Sequence, residues 1–217
     1  KMFELNGLHF IYGPDVNLDQ LASVTAGFSG AEIKNMANEA AIIAAKEGYD
    51  HILHKHLTQA HLKVGLGVEN RSLELTKEEI RITAYHEAGH ALGALYTPGK
   101  PLKQLTCIAR GGSLGSTWCY DDRDDHNVVK EKLFASLVMG FGGLVAEEMI
   151  SGTHSTGVSG DLRTVHRIAT KMVCDWGMSS LGNVYIPEKS RKDDKVLEAV
   201  RELTEAAEMK AREILLD

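Results

Sequence analysis

Two histidines and a glutamate lie close together in the run His86-Glu87-Ala88-Gly89-His90. On a helix, residues four positions apart lie one above the other, so both imidazoles can offer a ring nitrogen to one metal ion. Glu87 lies one step round, where its carboxylate could take a proton from a water molecule and hand it to a leaving amine. The run therefore favours zinc-dependent cleavage of peptide bonds. A core helix with structural histidines is the alternative interpretation.

The flanking sequence predicts that this run is helical. Thr76 is followed three residues later by Glu79, which is typical of a capping box at the start of a helix. The segment 80–95 is rich in Ala, Leu and Ile, and Pro98-Gly99 then ends the pattern. We therefore expect the two histidines to share one face of a single helix.

A catalytic zinc ion needs a third protein ligand and keeps one coordination position open for water. The sequence follows the metzincin spacing as far as Gly93, but Tyr96 stands where that class carries its third histidine. The metzincin class is therefore disfavoured. Spacing alone leaves the following downstream ligands open: Glu147, Glu148, His154, Asp161, His166 and Cys174.

Several further motifs occur in a fixed order along the chain. They are Phe28-Ser29-Gly30-Ala31-Glu32 with Asn38-Glu39-Ala40-Ala41, Tyr85 to Ala91, Gly142-Gly143 with Ala146-Glu147-Glu148, Ser155-Thr156-Gly157 with Asp161-Leu162, Met172-Val173, Trp176-Gly177-Met178-Ser179 and Leu181-Gly182. In this order they resemble the FtsH-type ATP-dependent membrane proteases, and the resemblance covers nearly the full length of the chain.

The resemblance implies a set of site residues. The third zinc ligand of the family is an aspartate, which corresponds to Asp161, and Glu147 or Glu148 is the alternative. The family usually has Asn before this aspartate, whereas this chain has Gly160. Asp161 is also expected in the first turn of a helix that runs to about residue 175, where the helix dipole favours a carboxylate.

The predicted fold is mainly α with a small β-hairpin or sheet. The resemblance implies that residues 1–67 form the C-terminal helical lid of an AAA ATPase module and that residues 68–217 form a mostly helical zinc-peptidase domain. Gly30 and Ala31 resemble the part of the lid that borders the adenine. The segment 65–75, with its Gly, Asn and Ser residues, is the expected linker.

The predicted elements follow from periodicity and capping signals. We expect helices at residues 16–24, 57–64, 128–150 and 194–216, and a further helix that starts at the capping box of Ser29 and Glu32. Strands are expected at 104–109 and 115–120, joined by a turn at 110–113. An exposed edge of this hairpin could bind an extended peptide through main-chain hydrogen bonds. Ser116 stands where the family commonly has Tyr, which could change side-chain selection.

Two polar clusters have a simple structural interpretation. His51, His54, His56 and His61 are expected to face solvent on a lid helix, and a metal site is the less favoured alternative. The acidic run at residues 121–125 is expected to be solvated surface, with weak cation binding as the alternative.

Composition excludes several function classes. A formal net charge of −6 without a Lys/Arg-rich run argues against a nucleic-acid partner. Three cysteines without a C-x-x-C pair predict neither a disulfide framework nor a zinc knuckle, and they fit a reducing compartment. The longest apolar stretch, residues 133–146, is shorter than the roughly 20 residues that span a bilayer.

The sequence has no G-x-x-x-x-G-K-[ST] phosphate loop, so we do not expect this chain to hydrolyse ATP by itself. The resemblance implies a piece of a longer protein that uses ATP, forms a homo-hexamer and is anchored in a bacterial inner membrane or an organellar membrane by segments outside this sequence. This part would lie on the cytoplasm-like side and cleave unfolded or extended polypeptides with Zn²⁺. The alternatives are an oligomerisation module and an inactive pseudoprotease.

Overall fold

Seven α-helices and one antiparallel pair of strands form in the part of the chain that the computed structural model describes, residues 10–25, 28–70, 73–98, 101–110, 114–119 and 127–216. The chain divides into two units, which are described separately. The first comprises Lys1–Glu74, Ile108–Leu114 and Tyr120–Asp125, and the second comprises Leu75–Cys107, Gly115–Cys119 and His126–Asp217. The mainly helical class expected from the sequence is confirmed, and the domain boundary after residue 67 stays a prediction.

The first unit contains helices α1 (Leu18–Val24), α2 (Gly30–Lys46) and α3 (His54–Leu66). Ser29 and Glu32 form the predicted capping box of α2. The predicted start of α1 at residue 16 is wrong, because the Oδ1 atom of Asn17 accepts hydrogen bonds from the next turn and caps the helix there. Asp15 instead caps α3, since its Oδ2 accepts the amide of His54 at 3.0 Å, so α3 begins before the predicted residue 57.

The prediction that the histidine cluster faces solvent is wrong for two of its members. His56 is fully buried; its Nδ1 accepts the amide of Leu53 at 3.0 Å, and its Nε2 lies 3.3 Å from Oε2 of Glu47. His61 is also buried and stacks on Phe28 with ring centroids 5.5 Å apart. These side chains adjoin an apolar core made of Leu21, Ile33, Met36, Ala40, Ala44, Ile52, Leu57 and Ala60.

The second unit contains α4 (Lys77–Leu95), α5 (Lys130–Ser151), α6 (Ser159–Cys174) and α7 (Asp194–Leu216), with short 3₁₀ turns at Thr156–Val158 and Glu188–Ser190. The capping box of Thr76 and Glu79 starts α4 as predicted. Helix α5 begins two residues later than predicted, because Val129 is still extended, and it ends where Gly152 turns left-handed at φ 74°.

Helix α5 lies at the centre of this unit and packs against α4, α6 and α7. Its crossing with α4 is closest at two glycines, since a Cβ atom at Gly89 would overlap the carbonyl group of Gly142. The core contains Leu137, Val138, Phe141, Leu144, Val145, Val158, Val165, Ala169, Met172, Val173, Cys174, Val196, Ala199, Val200, Ala207 and Ala211. The close approach of α4 to α5 fixes the face of α4 that carries the histidine pair.

By length and composition alone, α5 is the one helix among those described that could cross a membrane. It is longer than the apolar stretch of residues 133–146 seen in the sequence. However, 56% of its most apolar window is buried inside the fold, as in the core helix of a protein that does not use it as a span. We therefore treat α5 as a core helix.

The sheet consists of β1 (Leu102–Thr106) and β2 (Ser116–Cys119), paired antiparallel with Leu105 opposite Thr117. The predicted first strand at 104–109 is displaced, because the backbone of Ala109 accepts a hydrogen bond from the amide of Asn70 instead. Residues 111–113 of the turn predicted at 110–113, the acidic run at 121–125 and linker residues 71 and 72 lie outside the described residues.

Candidate metal centre

His86 and His90 point their Nε2 atoms toward the same point beside α4. Because they lie one turn apart on this helix, the two Nε2 atoms are only 3.0 Å apart, and the rings meet edge to face with centroids 4.6 Å apart. Both side chains are largely buried, with exposed fractions of 13% and 9%. The face of α4 therefore presents two imidazole nitrogens to one small volume, as the spacing predicts.

Asp161 brings a carboxylate to the same point from the first turn of α6. Its Oδ2 lies 3.3 Å from Nε2 of His86 and 3.5 Å from Nε2 of His90. The 3₁₀ turn before α6 leads the chain into this position: Ser155 caps it, and Val158 is buried in the core. In the described part of the chain, these three residues are the one group of His, Cys, Asp or Glu whose ligand atoms all lie within 4.8 Å of one another.

The separations between these three atoms suit a tetrahedral metal ion. Ligand distances of about 2.0–2.2 Å around a tetrahedral zinc ion place neighbouring ligand atoms about 3.3–3.6 Å apart. The observed separations are 3.0, 3.3 and 3.5 Å, so a zinc ion fits between them with only small shifts of the rings.

The hydrogen bonds on the opposite ring nitrogens indicate which tautomer each histidine adopts. Nδ1 of His90 lies 2.7 Å from the carbonyl oxygen of Met139, which can only accept, so this nitrogen carries the proton. Nδ1 of His86 lies 2.8 Å from Oε1 of Glu147, a carboxylate acceptor. With both rings neutral, both Nε2 lone pairs would face the oxygen of Asp161, and a metal cation between the three atoms would offset their mutual repulsion.

The pKa shifts of His86 and Asp161 reflect the attraction between these two groups. Burial disfavours a charge on His86, but its hydrogen bond and Coulomb attraction to Asp161 outweigh burial and raise the pKa of His86. For Asp161, burial acts to raise the pKa, but the hydrogen bonds and charges of His86 and His90 outweigh it and lower the pKa well below its usual range. The site therefore holds a carboxylate that remains ionised and an imidazole that favours positive charge.

Glu147 supports this centre from behind and is not one of the three convergent groups. Its side chain is buried, its Oε1 accepts from Nδ1 of His86, and its Oε2 accepts the amide of Ser155 at 2.5 Å. It thus joins the first histidine to the turn that leads to Asp161. Glu148 faces elsewhere, with its oxygens 2.9 Å from Nδ1 of His154 and 2.7 Å from a guanidinium nitrogen of Arg212.

Glu87 lies on the adjacent part of α4 with its side chain almost fully buried. Its carboxylate accepts a hydrogen bond from the hydroxyl of Thr117 at 2.7 Å. Its negative charge also contributes to the raised pKa of His86, its neighbour in the sequence. The role of Glu87 as a proton acceptor stays a prediction.

The backbone of α5 packs closely against the imidazole ring of His86. A Cβ atom at Gly143 would lie 2.5 Å from Cε1 and 2.7 Å from Nδ1 of the His86 ring. Only a glycine allows the backbone of α5 to pass this close to the imidazole. The sequence alone does not show that the neighbour of Gly143 is His86.

The structure brings together His86, His90 and Asp161 and places Glu87 beside them, while Gly30 and Ala31 begin α2 in the other unit. The adenine contact of these two residues stays a prediction. Sequence reasoning missed Thr117 and the carbonyl of Met139. A backbone acceptor has no sequence signal. Gly115 and Thr117 are two positions apart in a predicted strand, and this spacing could have indicated that they lie on the same face of the strand.

Two family models match this chain. Residues 73–215 match the model of peptidase family M41, and residues 15–59 match the model of the AAA+ lid domain. The first match contains His86, Glu87, His90 and Asp161, whereas the second contains Gly30 and Ala31. The two matched ranges do not overlap, and residues 60–72 lie between them.

Curated proteins similar to this chain carry consistent names. The chain is 46% identical to the ATP-dependent zinc metalloprotease FtsH 2 of Methylacidiphilum infernorum over 178 residues, covering 81% of this chain and 28% of that protein. It is 35% identical to the ATP-dependent zinc metalloprotease FtsH 2 of Salinibacter ruber over 220 residues, covering 93% and 32%. It is 43% identical to the ATP-dependent zinc metalloprotease YME1L of Drosophila melanogaster over 168 residues, covering 76% and 23%. The chain therefore spans between 23% and 32% of the length of these relatives.

Proposed function

This chain belongs to peptidase family M41, and we propose that it is the zinc-dependent endopeptidase part of an ATP-dependent protease. His86, His90 and Asp161 would hold the metal ion, and Glu87 would act as the general base. The observation that carries this proposal is the convergence of two imidazole lone pairs and one carboxylate oxygen, within 3.5 Å of one another, beside a buried glutamate.

In the proposed chemistry, the metal ion and the protein side chains have different roles. A zinc ion held by His86, His90 and Asp161 would supply Lewis acidity, which lowers the pKa of water toward neutrality. The carboxylate of Glu87 takes a proton from water and later delivers it to the nitrogen of the departing amine. Glu147 and the carbonyl of Met139 fix the histidine tautomers, so that both Nε2 atoms keep their lone pairs toward the centre.

The hairpin beside Glu87 suits an extended substrate. In the described part of the chain the sheet has two strands, and β2 contributes Thr117 to the carboxylate of Glu87. A peptide added along a free strand edge would be held by main-chain hydrogen bonds, which select an extended backbone and little sequence. Unfolded or extended polypeptides are therefore the proposed substrate class.

The complete protein is proposed to couple this site to ATP. The match to an AAA+ lid domain over residues 15–59 supports an ATPase module on the same polypeptide, with Gly30 and Ala31 near the adenine. By its family resemblance, the complete protein would form a homo-hexamer and would be anchored in a membrane by segments outside this sequence, with this part on the cytoplasm-like side. An assembly module without activity and a pseudoprotease are disfavoured, because the metal donors and the base are both present.

Zinc content and casein cleavage test this proposal. The purified chain should bind one zinc ion and cleave casein, and a chelator should abolish cleavage until zinc is restored. Asp161→Asn should lose zinc, whereas Asp194→Asn on the exposed first turn of α7 should keep it. Stoichiometric zinc and full activity in Asp161→Asn would contradict the proposed ligand set.

A further inference from the structure

Thr117 contacts the proposed base and has no part in the chemistry described above. Its Oγ1 lies 2.7 Å from Oε2 of Glu87 and 3.1 Å from the backbone carbonyl oxygen of the same residue. A hydroxyl group has one proton and donates to one acceptor at a time. The ionised carboxylate is the nearer and stronger acceptor. One oxygen of Glu87 is therefore held by a side chain from strand β2.

The other oxygen of Glu87 lies against the backbone just before β2. A Cβ atom at Gly115 would be 2.7 Å from Oε1 and 2.7 Å from Cγ of Glu87, so a larger residue at this position would displace the carboxylate. Gly115 and Thr117 are two residues apart and face the same side of the strand. The carboxylate is thus confined between a hydroxyl on one oxygen and a closely packed glycine on the other.

The position of Thr117 is itself fixed by the sheet. Thr117 lies opposite Leu105 in the antiparallel register, and the next pair is Ser116 with Thr106. A glutamate side chain without such partners can choose among several staggered rotamers. The hydrogen bond to β2 selects one rotamer, and it does so from an element outside α4.

We propose that Thr117 is a positioning residue for Glu87, whose hydroxyl holds the carboxylate in the orientation that accepts the proton of the attacking water. This inference rests on the proposed peptidase function, because it assigns Glu87 the role of base. A general base contributes only when its oxygen lies within hydrogen-bond reach of the proton that it takes. Loss of the hydroxyl should therefore lower the rate of the chemical step and leave substrate binding unchanged.

The alternative is that Thr117 only packs the hairpin onto α4. Two substitutions separate these roles. Thr117→Val keeps the branched shape and removes the hydroxyl, whereas Thr117→Ser keeps the hydroxyl and removes the methyl group. A positioning role makes the serine variant resemble the wild type, and a packing role makes the valine variant resemble it.

Steady-state cleavage of casein is the first test. We expect Thr117→Val to lower kcat by about tenfold to a hundredfold with KM and zinc content unchanged, and Thr117→Ser to retain most of kcat. Thr170→Val is the matched control, because the hydroxyl of Thr170 donates to the carbonyl of His166 within α6, at 2.7 Å. Equal kcat values for Thr117→Val and the wild type would overturn the proposal, as would a loss in Thr117→Ser as large as that in Thr117→Val.

Infrared spectroscopy of metal-free protein provides a test that does not need activity. The carboxylate band of Glu87, isolated by difference against Glu87→Gln, should shift in Thr117→Val and not in Thr117→Ser, because only the former loses a donor to Oε2. An unshifted band in Thr117→Val would overturn the proposal. If Thr117→Val does not fold, Thr117→Ser is compared with the wild type: a retained kcat supports the positioning role, and a large loss of kcat overturns it. If the wild-type chain cleaves nothing, the peptidase function fails while this band still tests the contact.

Discussion

Oε1 of Glu147 lies 2.8 Å from Nδ1 of His86, the ring nitrogen opposite the one that faces Asp161. The same carboxylate accepts the backbone amide of Ser155 through its other oxygen. One buried side chain therefore orients a proposed metal ligand and also holds the turn that delivers the next. This explains why a glutamate weighed as a ligand from the sequence lies behind the centre instead.

Replacing Glu147 by glutamine should weaken zinc binding. A glutamine can accept one of the two hydrogen bonds, but its NH₂ group then faces the other donor, either His86 or the amide of Ser155. We expect the zinc affinity to fall about tenfold to a hundredfold, measured by competition with a chromophoric chelator. Glu148→Gln is the control, because Glu148 contacts His154 and Arg212. A larger loss in Glu148→Gln than in Glu147→Gln would contradict this assignment.

Replacing Glu87 by glutamine should separate metal binding from catalysis. The amide has nearly the same size and can still accept the hydroxyl of Thr117, but it cannot take a proton from water. We expect full zinc content and a loss of casein cleavage of about a hundredfold or more. Glu78→Gln, in the exposed first turn of the same helix, should keep wild-type cleavage. A fully active Glu87→Gln protein would exclude Glu87 as the base.

Zinc affinity should depend on pH through His86. Asp161 raises the pKa of His86 above its ordinary value. Because a proton must leave this ring before the metal binds, competition from the proton should begin at a higher pH than for an isolated histidine. Asp161 itself has a lowered pKa and stays ionised, so it adds no slope in this range. Below the pKa of His86, protonation of this ring alone should lower the apparent affinity by about tenfold per pH unit.

Competition titrations between about pH 5.5 and 8.5 would measure this dependence. In the metal-free Asp161→Asn variant, the pKa of His86 measured by NMR should be lower than in the wild type, because the group that raises it is gone. An affinity that stays constant as the pH falls through this range would show that His86 does not exchange a proton for the metal.

The contact of α4 with α5 should tolerate no side chain at Gly89. A Cβ atom there would overlap the carbonyl of Gly142, which is backbone and cannot rotate away. We expect Gly89→Ala to lower the free energy of unfolding by about 1–3 kcal/mol in denaturant titrations. Gly160→Ala is the matched control: nothing lies within 4 Å of its Cβ position, and its φ is not positive. This control should be neutral or slightly stabilising, and similar losses in both variants would contradict the packing argument.

Local signals in the sequence predicted local features well. Thr76 with Glu79 and Ser29 with Glu32 predicted two helix starts, because a capping box is complete within four residues. The pair His86 and His90 also needs only one helical turn to be brought together. Asp161 came from the family resemblance, since spacing alone left it among several candidates.

Features that depend on distant segments were predicted poorly. His56 and His61 are buried because their neighbours in the fold cover them, and no property of the run 51–61 shows this. Asp15 caps α3, 39 residues further on, so the start of that helix could not be read from its own sequence. Thr117 reaches Glu87 across 30 residues, and only the folded hairpin shows the contact.

Anomalous diffraction at the zinc absorption edge from crystals of the zinc-loaded chain would locate the metal ion directly. We expect one peak about 2.0–2.2 Å from Nε2 of His86, Nε2 of His90 and an Oδ atom of Asp161. A peak bound to Glu147 or Glu148 in place of Asp161 would contradict the proposed ligand set. A stoichiometric zinc ion elsewhere, with no density between the two histidines, would contradict the metal centre itself.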